Sequence, residues 1–193
     1  MEKTELRYQA YLQILKEELI PAMGCTEPIA VAYAAAVARK TLGAVPERVC
    51  VGASGSMIKN VKSVIVPNTD NRKGLEAAAA AGIVAGRPEQ KLEVIADVTP
   101  EETKAILAYL DQTEITVEHV DNGVTFDIIV TVWKGGHSAQ VRIAVFHTNI
   151  VRIEKDGEVL LDLPVHGDEE ENLTDRSLLD MEHIWDFVHS VDI

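Results

Sequence analysis

The sequence predicts an α+β fold, with an alanine-rich helical layer, then a β-α-β-β-β-β-β antiparallel sheet unit, then a C-terminal helix. Two observations carry this prediction. In residues 1–90, apolar side chains recur at helical spacing, and two of the segments are rich in alanine. In residues 91–163, apolar and polar side chains alternate with the period of half-buried strands. The 193 residues suffice for one large or two small domains.

Three helices are predicted in the first part. Residues 3–20 place apolar side chains on one helical face. A second helix covers residues 27–42, with Thr26 as its N-cap and Gly43 as its stop. A third helix, again rich in alanine, covers residues 75–84.

The second part begins with a predicted strand at residues 92–95. Thr99 starts a helix, because Pro100 suits its first turn and Glu102 completes a capping box. The Asp-Asn-Gly sequence at residues 121–123 is typical of a hairpin turn. Further strands are predicted over residues 48–51, 115–120, 124–132, 141–145, 150–154 and 158–161.

These elements predict a division into three parts. Residues 1–90 form a helical part, and residues 91–165 form an α+β sheet domain. Residues 166–193 form an acidic linker and a helix, with Asp180 as its predicted N-cap. We expect this helix to lead into the helical part or to pack on it.

The net charge of −13 lies mostly in the tail. Residues 154–193 hold 13 acidic and 2 basic side chains, which leaves only −2 for the rest of the chain. This distribution argues against nucleic acid or an anionic membrane surface as a partner. No apolar run reaches the ~18 residues of a membrane span, and two cysteines make no disulfide framework. We therefore expect a cytoplasmic protein with no membrane partner.

Cys25 is the first candidate catalytic residue. It precedes the predicted alanine-rich helix, where the partial positive charge of the helix end should lower the pKa of its thiol. Gly24 leaves room for a ligand beside it. A buried, unreactive cysteine at a helix start is an equally good interpretation of this local pattern.

Other candidate residues are hydroxyl, amide and imidazole groups that could hold a substrate. A glycine- and serine-rich loop, residues 52–60, allows close approach of a ligand but does not have the spacing of a P-loop. His147 interrupts the strand pattern, as a residue of a ligand-binding loop or of an ordinary turn would. The candidate substrate-binding residues are Ser54, Ser56, Asn60, Asn68, Thr69 and His147. The histidines show no spacing that predicts a metal site.

Four segments together resemble the L-cysteine desulfidase and serine dehydratase-like family. They are residues 21–28 (PAMGCTEP), 54–62 (SGSMIKNVK), 66–69 (VPNT) and 147–149 (HTN). The resemblance covers essentially the whole chain and corresponds to the amino-terminal part of such enzymes. It implies that residues 1–90 are the helical part of the catalytic domain. It implies a cytoplasmic iron–sulfur lyase that converts L-cysteine to pyruvate, ammonia and sulfide, or that acts on L-serine.

The same resemblance implies roles for individual residues. Cys25 would remove the α-proton of a small amino-acid substrate, and the six candidate binding residues would hold that substrate. A [4Fe-4S] cluster is implied for the full-length protein, but no cysteine follows Cys50. We therefore expect this chain alone to hold no cofactor and to be a truncated, inactive portion of the enzyme.

Two alternatives remain open. Residues 91–163 carry few chemically reactive groups, so the chain could be a non-catalytic α+β module that binds a metabolite or pairs subunits. An alanine-rich helical layer with an exposed face would also favour a homodimer. A redox or sulfur-transfer protein that uses Cys25 alone is less well supported, because no resolving cysteine lies nearby.

Overall fold

A computed structural model describes residues 2–165 and 174–191 and confirms the predicted α+β class. The chain divides into two compact units. The larger unit comprises residues 22–166, and the smaller comprises residues 1–21 together with residues 167–193.

The larger unit contains a six-stranded sheet with strand order β2-β1-β3-β4-β5-β6. β1 and β2 are parallel, and every other neighbouring pair is antiparallel, so the sheet is mixed rather than antiparallel throughout. The strands are β1 (Arg48–Ala53), β2 (Glu114–His119), β3 (Asp127–Lys134), β4 (His137–Ala144), β5 (Ile150–Lys155) and β6 (Glu158–Asp162).

The predicted hairpin at residues 121–123 is wrong. The strands on either side of this turn, β2 and β3, are not neighbours, because β1 from the first part of the chain lies between them. Turn residues specify a local reversal of the chain, but they do not specify whether the two strands that flank the turn pair with each other or with a third strand.

Two long helices cover one face of this sheet. The helices of this unit are α2 (Thr26–Leu42), α3 (Gly55–Val61), α4 (Gly74–Ala85) and α5 (Pro100–Gln112). α2 packs across α4 and against β3 and β4. The crossing is close, since a Cβ atom at Gly82 would lie 2.0 Å from the main-chain oxygen of Ala32. The small side chains of both helices make this approach possible.

The predicted strand at residues 92–95 is also wrong. A 3₁₀ helix runs over Pro88–Glu93, and Val94 and Ile95 follow it fully buried in the core. A short apolar run has the same composition whether it is a buried strand or a buried turn of helix, so periodicity alone did not distinguish them.

The glycine- and serine-rich loop forms the helix α3 instead. Ser54 is its N-cap and accepts a hydrogen bond from the main-chain nitrogen of Met57. By contrast, the predicted start of α5 is confirmed, because Thr99 and Glu102 make the reciprocal bonds of a capping box.

The described residues of the smaller unit form α1 (Leu6–Glu18), a 3₁₀ helix (Arg176–Leu178) and α6 (Met181–Ser190). The Phe187 ring lies 5.2 Å from that of Tyr8 and 5.3 Å from that of Tyr11, so aromatic contacts hold α6 against α1. Asp180 is the N-cap of α6, as predicted. The predicted acidic linker at residues 167–171 lies outside the described residues.

Within the described residues, no helix combines the length and the apolar character that a membrane crossing requires.

Candidate functional site

The turn before α2 presents Cys25 to solvent. Gly24 has a φ of 126°, and Cys25 is the N-cap of α2 with an extended backbone. The predicted N-cap, Thr26, is wrong by one position, because Thr26 is the first helical residue. Its hydroxyl contacts His147 instead, with Oγ1 3.1 Å from Nε2 of the imidazole.

The Cys25 thiol donates a hydrogen bond to the Glu27 carboxylate, with Sγ 3.0 Å from Oε2. Burial raises the pKa of the Cys25 thiol, and the Glu27 carboxylate beside it raises this pKa further. The main-chain N–H of Glu27 opposes both effects but does not reverse them. The predicted lowering of the thiol pKa at the helix end is therefore wrong, because desolvation and the neighbouring Glu27 carboxylate outweigh the hydrogen bond from the Glu27 main chain.

Glu27 is the ionised member of this group. The hydrogen bond from Cys25 lowers the pKa of Glu27, and the charge of His147 and the side chain of Asn60 lower it further. Burial opposes this shift. Because Asn60 lies near the end of α3 and His147 lies between β4 and β5, three separate segments meet at this carboxylate.

His147 is held in place from two sides. Its ring lies 4.5 Å from the ring of Phe126, and its Nε2 atom contacts Thr26. The loop that carries it is closed by main-chain and side-chain bonds between Ala144 and Asn149. Burial lowers the pKa of His147, and the negative charge of Glu27 only partly offsets this effect. At neutral pH the imidazole is therefore mainly uncharged.

We name the group formed by Cys25, Thr26, Glu27, Asn60 and His147 the thiol–imidazole site. At neutral pH it presents a protonated thiol, an ionised carboxylate and a neutral imidazole. A thiol in this state can donate a proton, and a neutral imidazole can accept one.

Cys25, Asn60 and His147 are therefore the predicted residues that the fold brings together. The roles of Thr26 and Glu27 in the site were missed, although both lie in the same Gly-Cys-Thr-Glu-Pro segment as Cys25. The position of the Glu27 carboxylate only two residues after Cys25 could have indicated that the two side chains interact.

The remaining predicted residues lie outside this group. Ser54 donates its hydroxyl hydrogen to the main-chain oxygen of Thr125, and Thr69, which is fully buried, donates to that of Val66. Asn68 donates to the main-chain oxygen of Ile95. These three side chains thus stabilise main-chain turns. Ser56 is exposed on α3.

Within the described residues, no group of three or more His, Cys, Asp or Glu side chains is arranged to hold a metal ion.

The chain is similar to bacterial proteins named UPF0597. It is 51% identical to the UPF0597 protein of Desulfitobacterium hafniense over 193 residues, which are all of this chain and 45% of that protein. It is 40% identical to the UPF0597 proteins of Treponema denticola and Fusobacterium nucleatum, over 97% and 98% of this chain and 44% of each relative. The chain thus spans less than half the length of these relatives. No family model and no solved structure matches it.

These similarities correct the resemblance stated above. The relatives carry the UPF0597 name, and neither cysteine desulfidase nor serine dehydratase appears in it. The predicted membership of that family is wrong, and so are the iron–sulfur lyase function and the truncated lyase inferred from it. The expectation that this chain alone holds no cofactor stays a prediction.

Proposed function

We propose that the thiol–imidazole site binds a small amino acid and exchanges a proton with it. The observation that carries this proposal is the meeting of a thiol, a carboxylate and an imidazole at one end of α2. His147 lies 121 positions after Thr26 in the sequence, so only the tertiary fold brings the two together.

The charges of the site suit an amino acid. The ionised Glu27 carboxylate can accept hydrogen bonds from the ammonium group of a ligand, and its lowered pKa keeps it charged at neutral pH. The N-terminal end of α2 carries a partial positive charge, which favours a carboxylate nearby. An amino acid presents both groups within a few bond lengths.

The protonation states suit transfer of a proton. Cys25, whose thiol has a raised pKa, is the proton donor, and the neutral His147 imidazole is the acceptor. Thr26 orients that imidazole through its hydroxyl. In this role Glu27 both binds the ammonium group and keeps the thiol protonated.

The test measures exchange of the Cα hydrogen for deuterium in D2O by NMR. L-Alanine, L-serine and L-glutamate are the probes. We expect exchange with the wild-type chain, and loss of exchange in Cys25→Ser and His147→Gln. Cys50→Ser is the matched control, because Cys50 lies on β1 and contacts Thr116 and Glu118 instead of this site. Exchange that is absent from the wild type, or equal in wild type and Cys25→Ser, would overturn the proposal.

A second candidate role is the pairing of two copies through β6. This strand forms one edge of the described sheet, and Val159 and Leu160 on it are exposed. An apolar edge strand can extend a sheet by pairing with the same strand of a second copy. Sedimentation of the wild type as a dimer, and of Leu160→Lys as a monomer, would support this role. A wild-type monomer would reject it.

We further propose that the protein works in the cytoplasm. Both cysteines are free thiols, and Cys25 is exposed, which suits a reducing compartment. Alkylation of Cys25 in intact cells, followed by fractionation, tests this. Recovery of the chain with its thiol oxidised outside the cytoplasmic fraction would reject it.

A further inference from the structure

A pocket of about 530 Å³ lies in the larger unit, where α2 and α4 end. Arg39 and Lys40 of α2 line it together with Arg87 and Glu89, which follow α4. α2 has 17 residues and so is about 25 Å long, which separates this pocket from Cys25 at the other end of the helix. None of the residues of the thiol–imidazole site lines this pocket.

The pocket is cationic in a chain that is otherwise acidic. Three lining side chains are positive and one is negative, whereas the whole chain has a net charge of −13. A surplus of positive charge at one concave place raises the local concentration of anions.

The two arginines are held in position by main-chain oxygens at the end of α4. Nη2 of Arg39 donates to the oxygen of Gly86 at 3.1 Å, and Nη1 of Arg87 donates to that of Ala85 at 3.2 Å. Nη2 of Arg87 also lies 3.5 Å from a carboxylate oxygen of Glu102. Each guanidinium has five N–H donors, so both retain donors for a ligand.

Lys40 completes the group in a different way. Its side chain is exposed and forms no hydrogen bond or ion pair with another described residue. Its charge therefore serves no structural contact in the described part of the chain. The Lys40 ammonium group can therefore contact an anion as a compact charge, while the planar guanidinium groups of the two arginines donate paired hydrogen bonds.

We propose that this pocket binds a small molecule that carries a phosphate group. The lining side chains carry a net charge of +2. The Glu102 carboxylate beside Arg87 and the partial negative charge of the two helix ends reduce this charge, so Lys40 and the unused guanidinium donors supply the attraction for a phosphate group. Paired N–H donors of a guanidinium fit two oxygens of one phosphate. The volume is within the range of about 300–1,000 Å³ that small-molecule sites occupy.

Inorganic pyrophosphate is the probe, and isothermal titration calorimetry at low salt is the measurement. We expect saturable binding to a single site in the wild-type chain. Lys40→Gln should weaken the affinity about fivefold, the effect of losing one charge near 4 Å in water. This variant should fold normally, because the exposed Lys40 side chain forms no hydrogen bond or ion pair with a described residue and glutamine is also compatible with a helix.

The control is Lys73→Gln. Lys73 is the exposed N-cap of α4, at the opposite end of that helix from the pocket. Its replacement by glutamine removes the same charge as Lys40→Gln does. We expect its pyrophosphate affinity to equal that of the wild type. The proposal is overturned if no binding occurs, if both variants weaken binding equally, or if citrate at the same concentration binds more tightly than pyrophosphate.

Discussion

The Cys25 thiol donates its hydrogen to the Glu27 carboxylate, with Sγ and Oε2 separated by 3.0 Å. This contact places the negatively charged Glu27 carboxylate against the Cys25 thiol, which would itself become negative on ionisation. Together with burial, which is the larger cause, this contact raises the pKa of the Cys25 thiol and keeps it protonated.

Removing the Glu27 charge should make Cys25 more reactive. Because the carboxylate contributes to the raised pKa of the thiol, Glu27→Gln should lower that pKa and increase the thiolate fraction at neutral pH. The measurement is the rate of iodoacetamide alkylation as a function of pH, in a Cys50→Ser background. Glu76→Gln, in the first turn of α4, is the control and should leave the profile unchanged. An unchanged profile in Glu27→Gln would contradict the assigned contact.

His147 should make the folded state less stable in mild acid. Burial lowers its pKa below the ordinary value of 6.5, so between these two values the unfolded chain binds more protons than the folded chain. The free energy of unfolding then falls as the pH drops through this window. We expect NMR titration of the His147 ring to give a midpoint below 6.5. His147→Gln should remove that part of the pH dependence, and a midpoint above 6.5 would show that Glu27 outweighs burial.

Gly82→Ala should disrupt the crossing of α2 and α4. A Cβ atom there would lie 2.0 Å from the main-chain oxygen of Ala32, and backbone cannot move aside as the end of a side chain can. We expect the free energy of unfolding to fall by about 3 kcal/mol, measured by urea denaturation.

Gly55→Ala is the matched control for that substitution. A Cβ atom at Gly55 would meet only the tip of the His119 side chain, at 3.3 Å. Because alanine favours helix over glycine, we expect stability to change by less than about 1 kcal/mol. Equal losses in the two variants would refute the close helix contact as the cause.

Asp127→Ala should be strongly destabilising. Asp127 is fully buried, and its two carboxylate oxygens accept hydrogen bonds from Nε and Nη2 of Arg142 at 2.9 and 2.8 Å. Removing Asp127 leaves the Arg142 guanidinium, whose side chain is 21% exposed, without its buried partner, which costs about 2–3 kcal/mol, below the range for a fully buried pair. Chemical denaturation measures this loss.

Glu154→Ala provides the comparison on the same sheet. Glu154 pairs with Arg152 at 2.9 Å, but both side chains are about one third exposed. Solvent screens such a pair, so the loss should stay below about 1 kcal/mol. A similar loss in Glu154→Ala and Asp127→Ala would show that burial does not set the strength of these pairs.

The smaller unit should lose stability in acid through Glu17. The hydrogen bond from Arg176 lowers the pKa of Glu17 from 4.5 to about 2, and bonds from Thr174 support it. This contribution is fully present above pH 4.5 and is lost as the pH falls toward 2. We expect Trp185 fluorescence, in a Trp133→Phe background, to report the transition. Glu17→Gln should make the signal less sensitive to acid, and an identical acid transition in both proteins would exclude Glu17 as its cause.

Much of the local structure was predictable because its causes are local. The capping box at Thr99, the stop at Gly43 and the N-cap at Asp180 each depend on side chains within four positions of a helix end. The strands of the antiparallel part followed from alternation. The strand assigned to residues 92–95 failed because a buried apolar turn has the same composition as a buried strand.

The candidate site was predictable only in part. Cys25 and His147 each stood out as a reactive or polar residue in a break between elements, yet nothing in the sequence placed them together. Their neighbour Glu27 was read as a helix-start residue, and its effect on the thiol was missed. Ser54 and Thr69 looked like ligand-binding hydroxyls, but the fold uses them to satisfy main-chain oxygens.

The sequence by itself determined the α+β class, most helix limits and the alternating strands, because periodicity and capping act between near neighbours. The tertiary structure alone decided that β1 enters the sheet between β2 and β3, and that His147 reaches Thr26 across 121 positions. It also decided that the pKa of Cys25 rises instead of falling. Strand order depends on which distant segments pair, and the ionisation of a side chain depends on its distant neighbours and on how far it is desolvated. A short stretch of sequence specifies neither of these.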